Sequence, residues 1–276
     1  MNAIIEQHAG RQHTALSAMA KARLESTEGL PLLHSDWMRS LFIHYAVDPK
    51  ELQPLVPFEL DVRDGLAYVS LVAFHMRNLR PHLGGAVAAC LSKPVAQHGF
   101  LNVRTYVVHE GEPGIFFLAE WLPNALSVFI GPRTFGLPYR YGRLDYEHDH
   151  ERGCIAGEVA GRGNSESLDN LNYTASVAVD ANFEPCEAAS LDEFLLERYT
   201  AYTERRGVRR RFRVWHEPWP QVEADLTVHD AKLIEQTGPW FHKARLIGAN
   251  YSPGVIDVHL GRPQCINGKH CDRHWR

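Results

Sequence analysis

Hydrophobic positions in this chain gather in short strand-length runs separated by turn residues, and very few stretches carry a helical period. Ser40 to Val47, rich in aromatic and branched side chains, predicts a strand. Asp48-Pro49 then opens a short helix: the aspartate caps, the proline takes the first helical position where no N–H is needed, and Leu52, Leu55 and Val56 form its apolar stripe. Asp64-Gly65 marks a turn ahead of a long strand from Leu66 to Met76. Residues 79–99, which hold Pro81, Gly84, Gly85, Pro94 and Gly99, read as an irregular excursion suited to a lid. Leu101–His109 and Ile115–Leu122 flank a Gly/Pro turn as a hairpin, and Asn124 caps a helix that Pro132 should shorten or kink.

The second half continues in the same way. Strands are predicted at Tyr139–Tyr146, Cys154–Gly161, Ala175–Val179, Phe212–His216, Val222–Val228, Ala244–Leu246 and Val255–Leu260. A helix is predicted over Asp192–Thr203, with Leu191, Phe194, Leu195 and Tyr199 on one face. The polar, alanine-rich first thirty residues predict a fraying helix near Ala15–Leu24, outside the core. Many strands, few short helices and no βαβ alternation specify an antiparallel α+β domain or closed barrel, not a doubly wound sheet. The expected layout is a polar extension over 1–35, one domain over 36–263 and a tail over 264–276.

Composition narrows the function. With 45% hydrophobic and 22% charged residues, the chain can bury a sizeable core. A net charge of −4 gives no electrostatic case for nucleic acid. The basic run from Arg205 to Arg213 is either an anion patch or a solvated loop leading into a strand; its acidic flanks favour the loop. Neither a signal peptide nor a membrane-length apolar run is visible, and five scattered cysteines do not form a disulfide framework, so the cytoplasm is expected. Dinucleotide, phosphate-loop, nucleophile-elbow and zinc-protease motifs are missing, and no cofactor is implied.

Several patches are specific in combination. They include Leu41-Phe42-Ile43-His44-Tyr45-Ala46-Val47-Asp48-Pro49, Asp64-Gly65-Leu66-Ala67-Tyr68-Val69, Asn102-Val103-Arg104-Thr105-Tyr106-Val107 and Leu137-Pro138-Tyr139. Further on stand Phe194-Leu195-Leu196-Glu197-Arg198-Tyr199, His216-Glu217-Pro218-Trp219-Pro220 and Tyr251-Ser252-Pro253-Gly254-Val255. Together, over about residues 36 to 263, the chain resembles the DUF2071, or YqjF-like, family within the acetoacetate decarboxylase-like superfamily. The resemblance implies a closed antiparallel β-cone with a ligand cavity inside. The decarboxylase uses a Schiff-base lysine in a Gly/Ala-Tyr-Pro-Lys-Lys turn, helped by two glutamates. Here that pattern puts Tyr139 at the nucleophile and Arg140 beside it, with Ser70 and Phe100 at the glutamate positions. Neither a phenol nor a guanidinium forms an imine. Lys93, in the excursion, is the remaining candidate amine and reads as a solvated charge.

If position 100 faces the cavity, strand alternation sends Asn102, Arg104 and Tyr106 the same way. Arg104 then either clamps a carboxylate or phosphate through its planar fork or forms an internal ion pair, with Glu120 the candidate partner. Tyr139 inherits the inward position at the turn, as a hydrogen-bond donor, as an acid if its pKa is lowered, or as a core aromatic. Ser70 suits cavity lining or packing, and Arg140 should face the other way. The expected ligand site is therefore Arg104, Tyr139, Asn102, Ser70 and, more weakly, Arg140, binding a small anionic or carbonyl-bearing molecule. Any catalysis would be lysine-independent; otherwise the protein is a non-catalytic binding or stress-response module, or a scaffold whose cavity is filled by Phe100 and Tyr139. No metal is expected at this site, and assembly with further copies of the chain is left open.

Three other clusters weigh less. His216-Glu217-Pro218-Trp219-Pro220 reads as a structural corner at which Trp219 plugs the barrel. His148 and His150, among four acidic neighbours, read as a solvated turn. Cys265, His270, Cys271 and His274 offer zinc-type ligands, but the adjacent His270-Cys271 fits known finger spacings poorly. One chemical prediction follows from Tyr139: borohydride reduction in the presence of β-keto acids should yield no covalent adduct by mass spectrometry, and a trapped lysine adduct would restore imine chemistry.

Overall fold

The computed structural model describes residues 16–27, 29–162 and 168–266. A helix over 16–27 (α1) precedes β1 (Leu33–Val47), α2 (Pro49–Leu52), β2 (Glu59–Leu60) and β3 (Ala67–Pro81). Next come α3 (Gly85–Ser92), β4 (His98–His109), β5 (Glu112–Leu122) and α4 (Ala125–Thr134), followed by β6 (Tyr139–Asp149), β7 (Cys154–Arg162) and β8 (Leu168–Ser176). The chain continues through α5 (Leu191–Leu196), β9 (Thr200–Arg205), β10 (Val208–Trp215), β11 (Val222–Glu223) and β12 (Asp225–Asp230), then α6 (Lys232–Glu235), β13 (Arg245–Leu260) and β14 (Gln264–Cys265).

Local signals account for many boundaries. Asp48 caps α2 by accepting the Lys50 N–H, and Asn124 caps α4 by accepting the Ser127 N–H at 3.0 Å. The β4–β5 hairpin turns on Glu110 and Gly111, both at positive φ (53° and 76°), the geometry that matches strand twist in a two-residue loop. Pro132 lies inside α4, which nevertheless runs on to Thr134.

The strands are paired in the circuit β5–β9–β10–β13–β1–β3–β4 and back to β5. Two seams in this circuit are brief: β5 meets β9 in parallel at Ile115↔Ala201 and Phe116↔Tyr202, and β10 meets β13 at Val214↔Leu260 and Trp215↔His259. The ring is therefore not a clean barrel. From β5 a leaf of β6, β7, β8 and β12 branches away and folds over the outside of the wall.

Strand alternation separates two cores across that wall. Leu41, Ile43, Tyr45 and Val47 of β1, with Val69 and Leu71 of β3, pack outward against Ile155, Val159 and Tyr173 of the leaf. Phe42 and Ala46, with Val72, Phe74 and Met76, pack inward with Phe100, Leu195 and Trp219. Because both faces are buried, the strand reads as a continuous apolar run.

The fold class expected from the sequence holds: an α+β protein, mostly antiparallel sheet with few short helices. Some elements differ. The helix predicted over Asp192–Thr203 stops at Leu196, and Thr200–Arg205 becomes β9, because pairing with β10 overrides local propensity. The two strands predicted within 244–260 are one continuous β13. The excursion over 79–99 contains α3. His148 lies in β6, not in a solvated turn; it is 1% exposed and bonds the Arg39 carbonyl and the Tyr173 hydroxyl. The arginines of the basic run are carried largely on β10, where Arg211 and Arg213 reach Glu112 at 3.3 and 3.0 Å and Arg209 reaches Glu204 at 2.9 Å.

Helix α1 was expected outside the core, yet it packs on β10. Ser17 Oγ donates to the His216 carbonyl (2.9 Å) and accepts from Trp215 Nε1 (3.0 Å), and Leu24 is 1% exposed. Truncating Leu24 to Ala should therefore cost about 2–5 kcal/mol in denaturant unfolding, whereas a helix free of the core would show a change within about 0.5 kcal/mol.

Candidate functional site

Inside the ring lies a cavity of about 180 Å³. Its wall is mostly aromatic and aliphatic, including Trp37, Phe42, Phe74, Phe100, Phe117 and Trp219, with a few polar side chains: Asn102, Arg104, Glu120, Tyr139, Arg198 and His216. A concave apolar chamber with a small set of convergent polar groups is the usual form of a small-molecule site. Ile130 of α4 lines the chamber and is 40% exposed, so the opening lies beside that helix. Leu79, Val95 and His98, from the segment expected to act as a lid, form part of the same wall.

Register interruptions decide who faces inward. On β5, Ile115 and Phe117 line the cavity, as does Glu120, although simple alternation would put 117 and 120 on opposite faces. A bulge accounts for this: Val103 pairs with Ala119 but Arg104 pairs with Phe117, leaving Leu118 as the extra residue. Glu120 thereby comes opposite Asn102, and the Arg104–Glu120 ion pair, the alternative to a ligand clamp, does not form among the described residues. Past the Gly136-Leu137-Pro138 turn, Tyr139 starts β6 beside Glu120 in parallel register. Its ring rests on Gly131 of α4, where any Cβ would collide with it.

Arg104 is 7% exposed and incompletely satisfied. One terminal nitrogen donates to the Leu195 carbonyl at 3.0 Å, its guanidinium stands 5.6 Å from the Phe42 ring centre, and its Nε is buried without a partner. A buried donor left unpaired costs roughly 1–3 kcal/mol. Asn102 Oδ1 and Glu120 Oε1 are likewise buried without partners. Arg198, the other cavity arginine, is compensated: Asp61 accepts from it at 2.7 Å and the Phe194 carbonyl accepts at 2.7 Å.

The neighbouring titratable groups are pushed toward neutrality. Burial holds the Glu120 carboxyl well above the usual 4.5, which favours the protonated acid. Burial, reinforced by nearby Glu120, lifts the Tyr139 hydroxyl well above 10, so Tyr139 is a hydrogen-bond donor and not the activated acid considered from sequence. Burial lowers His216 to about 4, and its Nδ1 is engaged by the Glu217 carbonyl at 2.8 Å. Among the described residues, the chamber therefore holds one incompletely compensated cation, Arg104, beside neutral donors and acceptors.

The structure brings Asn102, Arg104 and Tyr139 together, along with Phe100. Ser70 and Arg140 stand elsewhere. Ser70 is fully buried behind the cavity end, bonded to His44 Nδ1 (2.7 Å) and to the Tyr106 hydroxyl, which donates to the Leu195 carbonyl. His44 in turn bonds Asn250 through Nε2 at 3.0 Å. This Ser–His–Asn chain has the outline of a nucleophile relay, but neither Ser70 nor His44 lines the chamber, so it braces the wall under Arg104. Arg140 faces the other side of its strand, with its guanidinium 5.1 Å from the Trp121 ring centre. Lys93 is exposed, and among the described residues no lysine lines the chamber. Trp219 stacks on Trp37 and meets Phe42 edge-on, as a plug should, but it and His216 also border the cavity, which the structural-corner reading missed. Glu120 was missed as a site residue because the bulge that turns it inward leaves no mark in the residue pattern. Of the C-terminal cluster, His270, Cys271 and His274 lie outside the described residues.

A ring of mostly antiparallel strands around an apolar chamber, with a turn delivering Tyr139 into it, defines an acetoacetate decarboxylase-like fold. Solved structures agree. Acetoacetate decarboxylase from Legionella pneumophila superposes with a TM-score of 0.58 at 13% identity, covering 87% of this chain and 89% of that one. The enduracididine biosynthesis enzyme MppR complexed with pyruvate gives 0.58 at 17% identity, over 86% of this chain and 90% of its own. An acetoacetate decarboxylase-like enzyme from Sphingomonas wittichii RW1 gives 0.56 at 16%, over 86% and 94%. Residues 34–255 match the DUF2071 family, described as an uncharacterized conserved protein. The uncharacterized protein YqjF of Bacillus subtilis (strain 168) is 32% identical over 228 residues, 79% of this chain and 89% of the relative. The chain belongs to the DUF2071 family.

The buried histidines set a pH dependence. His44 (about 3), His148 (about 4) and His216 (about 4) are held below their ordinary 6.5 chiefly by burial. The unfolded chain therefore binds more protons than the folded one between those values and 6.5, so each contribution is present above pH 6.5 and is lost as pH falls through the folded value. Unfolding free energy should drop as pH is lowered from 6.5 toward 4, by up to about 1.4 kcal/mol per pH unit for each histidine. Replacing His148 with Gln should flatten that slope in denaturant titrations, even where it lowers the absolute stability.

Proposed function

We propose that this DUF2071 protein is a cytoplasmic small-molecule-binding protein whose cavity takes a small organic monoanion bearing a carbonyl group, such as a short oxo acid. The observation that carries this reading is the buried Arg104, a cation with an unpartnered Nε, lining a chamber whose carboxyl group, Glu120, is pushed toward its neutral form. A ligand carboxylate would meet the planar guanidinium fork and relieve the cost of the unpaired donor. Tyr139 and protonated Glu120 would donate to the carbonyl oxygen, with Asn102 completing the polar side. The aromatic walls would hold the body of the molecule. Kindred support comes from MppR, a neighbour of the same fold, whose structure is described as complexed with pyruvate. Among the described residues no helix is long and apolar enough to cross a membrane.

Under this reading any turnover would be lysine-independent. Glu120 would give its proton to the carbonyl oxygen and, as the carboxylate so formed, take one from the neighbouring carbon, an enolisation of the kind that opens a lyase or hydratase-type reaction. A second reading, binding without turnover, draws on the preponderance of apolar wall; it keeps Arg104 as anchor and gives Glu120 no proton to move. The filled-scaffold reading loses ground, since Phe100 and Tyr139 border the chamber and leave it open.

A thermal-shift screen of small carboxylates tests both readings. The binding acid should stabilise the native chain by about 2.7 kcal/mol at roughly 100 times its Kd and leave Arg104→Ala unshifted. Equal shifts in both proteins, or no shift from any carboxylate, sinks the anchoring role. Glu120→Gln should retain binding while abolishing any proton exchange at the ligand's α-carbon, followed by NMR in D2O; exchange that persists in that variant removes Glu120 from the chemistry.

A further inference from the structure

The outer face of the wall carries a cluster that the cavity does not use. Leu33 and Ser35 of β1 and Leu260 of β13 point into the chamber, so their neighbours His34 and His259 point away from it. His34 and His259 are cross-strand partners in the β1–β13 ladder. Asp257 lies two residues before His259, at a left-handed backbone position (φ 54°). One donor atom from each of His34, Asp257 and His259 falls within 4.8 Å of the others. His34 Nδ1 is 2.9 Å from Asp257 Oδ1, and His259 Nε2 is 3.2 Å from Asp257 Oδ2. Tetrahedral zinc binds imidazole nitrogen and carboxylate oxygen at about 2.0–2.2 Å, which sets neighbouring donors roughly 3.3 Å apart. The two histidine–aspartate separations, 2.9 and 3.2 Å, already lie within a few tenths of an ångström of that value, and the two imidazoles have to close from a separation of under 4.8 Å.

The surroundings orient the donors. His34 Nε2 lies 2.7 Å from His82 Nδ1, so with a metal on Nδ1 the remaining ring N–H has a ready acceptor, the outer contact that fixes the tautomer of metal-bound histidines. His82 is itself tied to the wall, its N–H donating to the Leu32 carbonyl at 3.0 Å. The backbone N–H of Asp257 donates to Asp36 Oδ1 at 3.0 Å, and Arg80 donates to Asp257 Oδ1 at 2.8 Å, which leaves Oδ2 turned toward His259. The His259 ring packs against Trp215 with centroids 4.7 Å apart. Both imidazoles are largely sheltered (12% and 13% of their side chains exposed), while Asp257 is 52% exposed and gives an ion a path in.

We propose that His34, Asp257 and His259 bind one divalent transition-metal ion on the outside of the ring, with His82 as the contact that positions His34. Two imidazoles and one carboxylate select zinc, cobalt, nickel or copper over magnesium and calcium, which prefer oxygen donors alone. The ion would tie β1 to β13 where their register is interrupted between Ser35 and Trp37. It stands apart from the cavity and does not depend on the ligand reading.

The test is zinc titration of the full chain in competition with a chromophoric chelator, together with the absorption spectrum of the cobalt form. Expected are one-to-one binding, a cobalt spectrum without a thiolate charge-transfer band, and a rise in melting temperature with zinc. His259→Ala and Asp257→Asn should each weaken binding by about 100-fold and His82→Ala by roughly 10-fold, while His229→Ala, at an exposed position on β12, leaves it unchanged. Melting curves without metal establish that each variant folds. Absence of saturable binding overturns the proposal, as does binding that survives His259→Ala and Asp257→Asn. A thiolate band, or loss of binding in His270→Ala/His274→Ala alone, would overturn it by assigning the ion to the C-terminal cluster.

Discussion

The structure depends on a sheet wall that must bury both of its faces. β1, β3 and β4 press one face on the leaf and enclose the chamber with the other, so each inward side chain has an outward neighbour fixed by the same backbone. A strict alternation would carry that arrangement to the strand ends. Instead Arg39, Asn78 and Asp257 adopt left-handed conformations, at φ 54° in each case, and register shifts flank Met38/Leu41 and Ser35/Trp37. The parity reverses there: Phe42 lines the chamber from one side of the interruption and Trp37, Ser35 and Leu33 from the other. Left-handed backbone costs a non-glycine residue about 1–2 kcal/mol. Local bonds offset it: Asp36 accepts from Asn78 Nδ2 and from the Asp257 N–H, and the Arg39 carbonyl is bonded by His148.

The chamber's electrostatics follow from the same wall. The β5 bulge turns Glu120 inward opposite Asn102, yet no ion pair joins it to Arg104 among the described residues, and each side chain keeps a buried atom without a partner. Desolvation then favours opposite outcomes in the two side chains. The carboxyl can shed its charge by taking up a proton, whereas the guanidinium is left to seek an acceptor from outside the protein. An ion pair in this position would have made a quiet core; the bulge makes a polar site.

In this acetoacetate decarboxylase-like fold, the turn before β6 presents a phenol to the chamber. Tyr139 enters the chamber there, and Gly131 gives up its side chain so that the phenol ring can lie against α4. Behind it, the buried chain of Asn250, His44, Ser70 and Tyr106 shares the Leu195 carbonyl with Arg104. That shared acceptor makes the polar network a brace for the guanidinium, and its neutral histidine avoids placing a second cation beside the first.

Residue patterning alone determined the fold class, because strand-length apolar runs and turn chemistry at Asp48-Pro49, Asp64-Gly65 and Glu110-Gly111 are local properties. Motif resemblance likewise located Arg104, Asn102 and Tyr139 on the inner wall. Tertiary structure alone decided the rest. β9 emerged from a helical pattern because β10 offered it a partner, and α1 joined the core because Trp215 needed a hydrogen-bond acceptor in Ser17. Glu120 entered the site because the β5 bulge resets the parity of that strand, whereas Ser70 keeps the inward parity of Val72 and Phe74 and is taken up by hydrogen bonds to His44 and Tyr106, and His216 continues the inward series of Phe212 and Val214. A one-residue shift reverses every side chain beyond it, and the residue that causes it need not look unusual in the sequence.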